Sequence, residues 1–270
     1  MLIELKGLVI RTATFTESDK ILTLLTAEHG KIAVGAKGAR SIKSRVRSAT
    51  ELYSYGSYVL YKKGNYYWLR ESELIENFFA LRTDLEKMAL AAYVCEVVDD
   101  SSMENMPEGD LLKLTLNTLY IISKGTKPLS LIKGAFEMRL AAQLGFMPNL
   151  SSCAVCGSDC ISTACLEIMN GRIVCARCCE KISNRPDDKA TSRGDYDALA
   201  DILCQTTHIC FLSPGALAAM RYTISCSPER LFAFTLEADE LKVFADTAER
   251  FLLNQLERNF KTLDFYKSIL

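Results

Sequence analysis

Short apolar runs, interrupted by polar residues and separated by glycine-containing turns, fill the first 76 residues of the chain. Runs of this length and alternating character predict β-strands. Five strands are predicted, at residues 2–11, 21–26, 32–36, 53–61 and 66–74. Turn signals at residues 29–30 and 63–65 support two of the boundaries. Five short strands in so few residues predict a small closed barrel or a sandwich.

Beyond residue 78 the apolar positions recur at steps of three and four, the period of an amphipathic helix. Helices are predicted at residues 83–99, 110–124, 129–144, 214–224 and 241–260, and residues 196–210 are predicted to be helical or mixed. Thr83 followed by Glu86 indicates a capping box at the first helix. The pattern therefore predicts an α+β protein, with a β-barrel in residues 1–78 and an α-helical domain in residues 79–270. The five-stranded oligonucleotide-binding (OB) barrel is one member of the predicted barrel class.

Two C-x2-C pairs interrupt the helical pattern at about residues 150–182. Cys153 and Cys156 form the first pair, and Cys175 and Cys178 follow after 18 intervening residues. Each pair lets two thiolates approach one metal ion from a tight turn, and two pairs at this spacing complete a tetrahedral site. We therefore predict a four-cysteine zinc finger that holds a structural zinc ion and is inserted in the helical domain.

The hairpin signal Asn170-Gly171 lies between the two pairs, so the metal would hold a small β-hairpin. Three further thiols, those of Cys160, Cys165 and Cys179, are close enough in sequence to replace one of the four ligands. The combination of Cys204, His208 and Cys210 offers a second metal pair in principle, but buried thiols are the favoured interpretation there.

Positive charge is concentrated near the N-terminus, although the formal net charge is only -1. Residues 1–75 contain 12 Lys or Arg and 7 Asp or Glu. Within them, residues 37–47 contain five cations and no carboxylate, between the third and fourth predicted strands. Like charges so close together repel one another and gain by meeting a polyanion. The five residues are Lys37, Arg40, Lys43, Arg45 and Arg47. We predict that they form a DNA-binding loop; the alternative is a solvated charge run.

Six tyrosines and one tryptophan accompany this basic segment in the predicted barrel. Aromatic rings beside cations hold single strands, because bases stack on the rings while the cations bind phosphates. Aromatic residues also favour strands intrinsically, and most of these rings must fill the barrel interior. We expect about two of the seven to face a ligand. They are Tyr53, Tyr55, Tyr58, Tyr61, Tyr66, Tyr67 and Trp68.

Several signals are absent from the sequence. Residues 1–15 lack the pattern of a secretory signal, and no stretch of about 18 apolar residues could span a membrane. The 11 cysteines are then expected to be reduced thiols in the cytoplasm. No phosphate-binding glycine loop, zinc-protease motif or nucleophile elbow occurs, and the chain has two histidines. We therefore expect a protein that is not an enzyme.

The order of these features resembles the bacterial RecO family of recombination mediators over nearly the full chain. The resemblance lies in AKGAR at residues 36–40, FEMRL at residues 136–140, LGFMP at residues 144–148 and the double C-x2-C. It implies an OB-fold barrel followed by a helical domain with a zinc finger. It also implies a non-enzymatic role: binding single- and double-stranded DNA, annealing complementary strands, and helping RecA load onto DNA coated by single-strand binding protein (SSB).

Partners implied by the resemblance are DNA, RecR and the acidic C-terminal tail of SSB, with a nucleoid-associated location in the cytoplasm. By position, Lys37, Arg40, Lys43 and Arg45 match the basic loop of the family, while Arg47 lies at its variable end; Cys153, Cys156, Cys175 and Cys178 match its metal ligands. A pocket for the SSB tail is expected near Phe136, with Lys133 and Arg139 as candidate residues.

Two alternatives come from other functional classes. The first is a zinc-ribbon adaptor whose barrel serves a protein or RNA partner, and it predicts little binding of single-stranded DNA. The second is a cysteine-dependent redox enzyme that uses the spare thiols of Cys160, Cys165 or Cys179.

Overall fold

A computed structural model of the chain describes residues 2–64, 66–183 and 209–270. The chain forms two compact units: Met1–Leu129 with Phe260–Leu270, and Ser130–Asn259. The predicted domain boundary at residue 78 follows the last barrel strand, whereas the first compact unit continues through two more helices. Three predictions fall outside the described residues: the polar connector at residues 184–193, the helical or mixed segment as far as residue 208, and the metal pair formed by Cys204 and His208.

The elements of the first unit are five strands and three helices. The strands are β1 (Leu2–Thr14), β2 (Lys20–Thr26), β3 (Gly30–Ala36), β4 (Tyr55–Lys63) and β5 (Tyr66–Glu76). The helices are α1 (Leu85–Ser101), α2 (Gly109–Lys124) and, after the second unit, α7 (Lys261–Ser268). The second unit contains α3 (Leu129–Gln143), β6 (Asn149–Cys153), β7 (Ala164–Glu167), β8 (Arg172–Cys175), α4 (Ala176–Ser183), β9 (Ile209–Leu212), α5 (Pro214–Ser225) and α6 (Ala238–Leu256).

The five N-terminal strands close into a barrel in the order β1-β2-β3-β5-β4. All neighbours are antiparallel except β3 and β5, which run parallel and join through two residue pairs, Val34 with Tyr67 and Gly35 with Trp68. Alternate residues point inward, so Leu22, Leu24 and Leu60 are fully buried in the barrel core. The predicted OB-fold barrel is confirmed.

Helix α1 packs against β1, α2 and α7 in the first unit. Its N-cap is Asp84 rather than the predicted Thr83: the Asp84 carboxylate accepts a hydrogen bond of 3.1 Å from the backbone N–H of Lys87. The long helix predicted at residues 241–260 is present as α6, which begins at Ala238 and ends at Leu256, four residues earlier than predicted. Glu257 adopts a left-handed conformation with φ of 51°, which ends α6 and lets α7 begin four residues later.

The second unit contains a four-stranded sheet in the order β6-β8-β7-β9. The predicted hairpin is present as β7 and β8, joined by a turn in which Gly171 has φ of +61°. Residues 209 and 210, the end of the segment predicted to be helical or mixed, begin strand β9. This strand was not predicted, because its four apolar residues acquire their pairing partner, β7, from more than 40 positions earlier in the chain.

Candidate functional site

The basic loop, residues 37–47, is a succession of turns between the barrel strands. Backbone N–H groups of Ser41, Ser44 and Arg47 each donate to the carbonyl three residues earlier, at 3.1, 3.0 and 3.3 Å. The series ends in one turn of 3-10 helix, Ser48–Thr50. The five cations along these turns are all exposed, whereas Ala39 between them is buried.

Both ends of the basic loop are fixed to the barrel. Ala39 and Ala49 are buried in the barrel core, and the Tyr58 hydroxyl donates a hydrogen bond of 2.7 Å to the Ala49 carbonyl. At the first end, the Asp19 carboxylate accepts from the backbone N–H of Gly38 at 2.8 Å. The loop is therefore attached to the barrel at both ends.

All five predicted cations are exposed on this loop. Within the described residues none of them forms an ion pair with a carboxylate. Arg40 Nη1 donates to the Thr16 carbonyl at 3.0 Å, and Lys37 Nζ lies 4.9 Å from the centroid of the Trp68 ring. Five exposed cations without anionic partners produce a local positive potential that attracts a phosphate backbone.

The carboxylate of Asp19, at the start of the loop, accepts hydrogen bonds from two neighbouring groups. The backbone N–H of Gly38 and the hydroxyl of Ser18 donate to it, and they hold its pKa below the ordinary value, with a smaller contribution from the charge of Lys37. Asp19 therefore stays ionised and positions the start of the loop.

The structure sorts the seven aromatic residues by exposure. Tyr53, Tyr58 and Tyr67 are buried, as expected of rings that fill a barrel. Tyr55 and Trp68 are half-buried. Tyr61 and Tyr66 are 38% and 72% exposed. Successive residues of a strand point to opposite faces, so Tyr66 and Trp68 lie on the outer face once Tyr67 points inward. The alternation along the sequence therefore already indicated which rings share a face.

The four predicted metal ligands come together in the second unit. Their Sγ atoms all lie within 4.8 Å of one another, and the Sγ atoms of Cys156 and Cys175 are 3.9 Å apart. A tetrahedral zinc site with Zn–S bonds of about 2.3 Å requires sulfur atoms about 3.8 Å apart. Cys153 ends β6, Cys175 ends β8 and Cys178 belongs to α4, so a metal here would join three elements. The donor set and its spacing fit a metal ion with four thiolate ligands.

Hydrogen bonds lower the pKa of one of these four thiols. Burial opposes the thiolate of Cys153, yet backbone N–H groups of Cys175, Cys156 and Val155 donate to it and lower its pKa to about 6. Burial raises the pKa of Cys175 and of Cys178. Four adjacent thiolates repel one another, so full ionisation of the cluster requires a bound cation.

The spare thiols do not enter this cluster. Cys165 and Cys179 are both buried and hydrogen-bonded to each other, which lowers the pKa of Cys165 and raises that of Cys179. Cys160 is exposed. The four cysteines assigned as ligands from their spacing are therefore the same four that the fold brings together.

The residues suggested for an acidic-tail pocket are engaged inside the second unit. Phe136 is fully buried. Lys133 is 5% exposed, and its Nζ lies 3.1 Å from Glu137 Oε1 and 2.8 Å from Glu249 Oε2. Arg139 donates to the backbone carbonyl of Cys226. Lys133 therefore neutralises the carboxylates of Glu137 and Glu249 in its own chain, which the sequence could not reveal because Glu249 lies 116 positions away.

Among the described residues, no helix has both the length and the apolar character needed to cross a membrane.

Comparison with known proteins gives a consistent result along the chain. Residues 1–78 match the family model described as Recombination protein O N terminal, and residues 82–187 match Recombination protein O C terminal. The chain is 31% identical to DNA repair protein RecO of Acetivibrio thermocellus over 264 residues, 97% of this chain and 95% of the relative. It is 37% identical to the RecO protein of Listeria monocytogenes over 65% of this chain and 68% of the relative. It is 35% identical to the RecO protein of Bacillus subtilis over 67% of this chain and 70% of the relative.

Proposed function

Because the chain belongs to the RecO family of DNA repair proteins, we propose that it is a recombination mediator. It binds single- and double-stranded DNA, anneals complementary strands and helps RecA load onto SSB-coated DNA. The observation that supports DNA binding most directly is the basic loop, whose five exposed cations are attached to a barrel and have no carboxylate partner in the described part of the chain.

The proposed contact is with phosphates and is independent of sequence. Each phosphate that a cation neutralises releases a condensed counterion, and this release drives binding. A surface that binds the backbones of two strands also reduces their mutual repulsion, which favours annealing. Lys37, Arg40, Lys43, Arg45 and Arg47 are the proposed phosphate ligands. The protein would act by binding, without a catalytic centre.

Zinc is the proposed metal, held by Cys153, Cys156, Cys175 and Cys178. A borderline-soft divalent ion with four thiolates and no open position is structural rather than catalytic. Its chemistry here is restricted to fixing β6, β8 and α4 in place. We also propose a cytoplasmic, nucleoid-associated location, because the cytoplasm keeps such thiols reduced.

RecR and the acidic C-terminal tail of SSB are the proposed protein partners, on the basis of family membership. The buried ion pairs of Lys133 argue against that residue as a ligand for the tail. A zinc-ribbon adaptor for a protein or RNA partner remains the second candidate, and it differs in predicting little affinity for single-stranded DNA.

The decisive experiment measures the affinity for a labelled single-stranded oligonucleotide across a range of salt concentrations. Five phosphate contacts predict a slope of log K against log salt of about −3.5, from roughly −0.7 per phosphate. Replacing Arg40, Lys43 and Arg45 by Ala leaves two contacts and a slope of about −1.4. A slope that is flat for the unmodified protein contradicts the proposal.

A matched control variant changes the net charge by the same amount as the loop variant. Replacing the exposed residues Lys181, Lys242 and Lys261 by Ala also removes three positive charges, but far from the basic loop in sequence. Equal losses in the two triple variants would show that the net charge, and not the loop, binds DNA. Strand-annealing assays and RecA loading onto SSB-coated DNA then test the finer activities with the same proteins.

A further inference from the structure

One outer face of the barrel carries aromatic residues in adjacent positions. Tyr61 of β4 is paired with Trp68 of β5, and Trp68 is paired in turn with Gly35 of β3. One row away, Tyr66 of β5 is paired with Lys63 of β4. Residues paired across neighbouring strands point to the same side of a sheet, so Tyr61, Tyr66 and Trp68 form a single surface. We name this surface the aromatic face.

Gly35 leaves open the space that the Trp68 indole occupies. A Cβ atom at position 35 would lie 2.7 Å from Cε3 and Cζ3 of Trp68, closer than two carbon atoms can approach. The absence of a side chain therefore determines where the ring lies. Because the half-buried ring is already held in a fixed position, little side-chain entropy is lost when a base stacks on it.

Lys37 connects the aromatic face to the basic loop. Its Nζ lies over the Trp68 ring, 4.9 Å from the centroid, and Lys37 is also the first cation of the loop. A cation over a ring at an exposed site makes a weak contact that a phosphate can replace. The ring and the first phosphate ligand are therefore immediate neighbours.

The surroundings of the aromatic face are also basic. Lys63 and Arg70 are exposed on the same two strands, although Arg70 Nε lies 3.5 Å from Glu71 Oε1. Beside Tyr66 a groove of about 440 Å³ opens, lined in part by Lys62 and by Lys31, whose Nζ forms an ion pair of 3.4 Å with Asp99. Its lining also includes Ile32, Ala33, Tyr67, Glu104 and Asn105.

We propose that the aromatic face is a stacking platform for the unpaired bases of single-stranded DNA. The strand passes from the phosphate ligands of the basic loop across Trp68 to Tyr61 and Tyr66. The bases of a duplex are already stacked on one another and cannot occupy the platform, so the face favours single strands whereas the loop binds both forms. This inference rests on the proposed DNA-binding function and adds a second, base-dependent contact to it.

Trp68 reports on its own contact, because the chain contains 1 tryptophan. Titrating the unmodified protein with an oligothymidylate should quench the tryptophan fluorescence. A duplex with the same number of phosphates should bind with little quenching. An abasic single strand of equal length serves as the critical control, since its phosphates can draw Lys37 away from the ring but it has no base to stack.

Fluorescence decides between stacking and a mere displacement of Lys37. Quenching by the oligothymidylate alone supports the platform. Equal quenching by the abasic strand, or unchanged emission at saturating oligothymidylate, overturns it. If neither single strand nor duplex binds at all, the DNA-binding function itself fails, and this result is distinguishable because it appears in the anisotropy of the labelled DNA.

Substitutions provide the second test. Trp68→Ala and Tyr66→Ala should each weaken binding of the oligothymidylate by about tenfold and leave duplex binding unchanged, since stacking contributes about 1–3 kcal/mol per base. Tyr66 is 72% exposed, so its variant should remain folded even if Trp68→Ala does not. The matched control is Tyr120→Ala on α2, which removes another exposed tyrosine with a lysine over its ring, at 5.0 Å. Equal losses for single strand and duplex, or for the Tyr120 variant, contradict the inference.

Discussion

The carboxylate of Asp19 accepts a hydrogen bond of 2.8 Å from the backbone N–H of Gly38, where β3 ends and the basic loop begins. This bond holds the Asp19 pKa below its ordinary value. A carboxyl group with a lowered folded-state pKa stabilises the fold above its unfolded-state pKa, and the contribution is lost as the pH falls through the folded-state pKa. We expect the start of the loop to be ordered at neutral pH and to loosen only below about pH 4.

Amide hydrogen exchange at Gly38 and Arg40, followed by NMR from pH 6 downward and corrected for intrinsic exchange, measures this loosening. Asp19→Asn is the control, since its side-chain oxygen still accepts the hydrogen bond but does not titrate in this range. An identical loss of protection in the two proteins would show that Asp19 does not control the loop.

Gly38 provides a prediction for backbone strain at the same place. It has φ of +63°, and a Cβ atom there would have no heavy atom within 4 Å. Gly38→Ala should therefore destabilise the fold by about 1 kcal/mol through conformational strain alone, without a steric clash. Chemical denaturation measures the difference. Gly38→Asn should cost less, because Asn tolerates left-handed backbone better than Ala does; equal costs would contradict the strain argument.

The parts of the fold that were predictable from sequence depend on local patterns. Alternation within each short run predicts the barrel strands, and two short C-x2-C motifs separated by 18 residues predict the thiol cluster. The failures involve distant partners or competition between neighbours. Asp84 displaced Thr83 as the cap, and β9 required β7 as a partner. The sequence shows the cations of the loop, but only the structure shows that Asp19 and Tyr58 attach it to the barrel.

The buried cation Lys133 should be essential to the second unit. It lies between the carboxylates of Glu137 and Glu249, at 3.1 and 2.8 Å, and is 5% exposed. Burial favours the neutral amine of Lys133, but the charges of Glu137 and Glu249 together hold its pKa above the ordinary value. Lys133→Met removes the buried cation from two carboxylates and should destabilise the protein by about 3–5 kcal/mol.

Chemical denaturation monitored by circular dichroism checks this destabilisation. Lys242→Met is the matched control, because Lys242 is an exposed lysine on α6, the helix that supplies Glu249. We expect the control to change stability by less than about 0.5 kcal/mol. A Lys133→Met variant as stable as the unmodified protein would contradict the prediction, because the two carboxylates would then have lost their cation without any loss in the free energy of unfolding.

The thiol cluster gives a prediction about metal content. Cys153→Ser and Cys178→Ser should each abolish stoichiometric zinc, because each removes one of four ligands whose Sγ atoms lie within 4.8 Å of one another. Cys160→Ser should retain one zinc ion per chain, since Cys160 is exposed and outside the cluster. Elemental analysis of the purified proteins measures the metal directly and does not depend on any activity.

Removing the metal should also lower the unfolding temperature, because the free energy of binding a structural zinc ion is part of the folding free energy. A strong chelator should therefore shift the thermal transition of the unmodified protein and of Cys160→Ser, but not that of Cys153→Ser, which has already lost the ion. Unchanged transitions in all three proteins, together with an absence of zinc before chelation, would rule out the metal site and leave the four thiols as a purely hydrogen-bonded cluster.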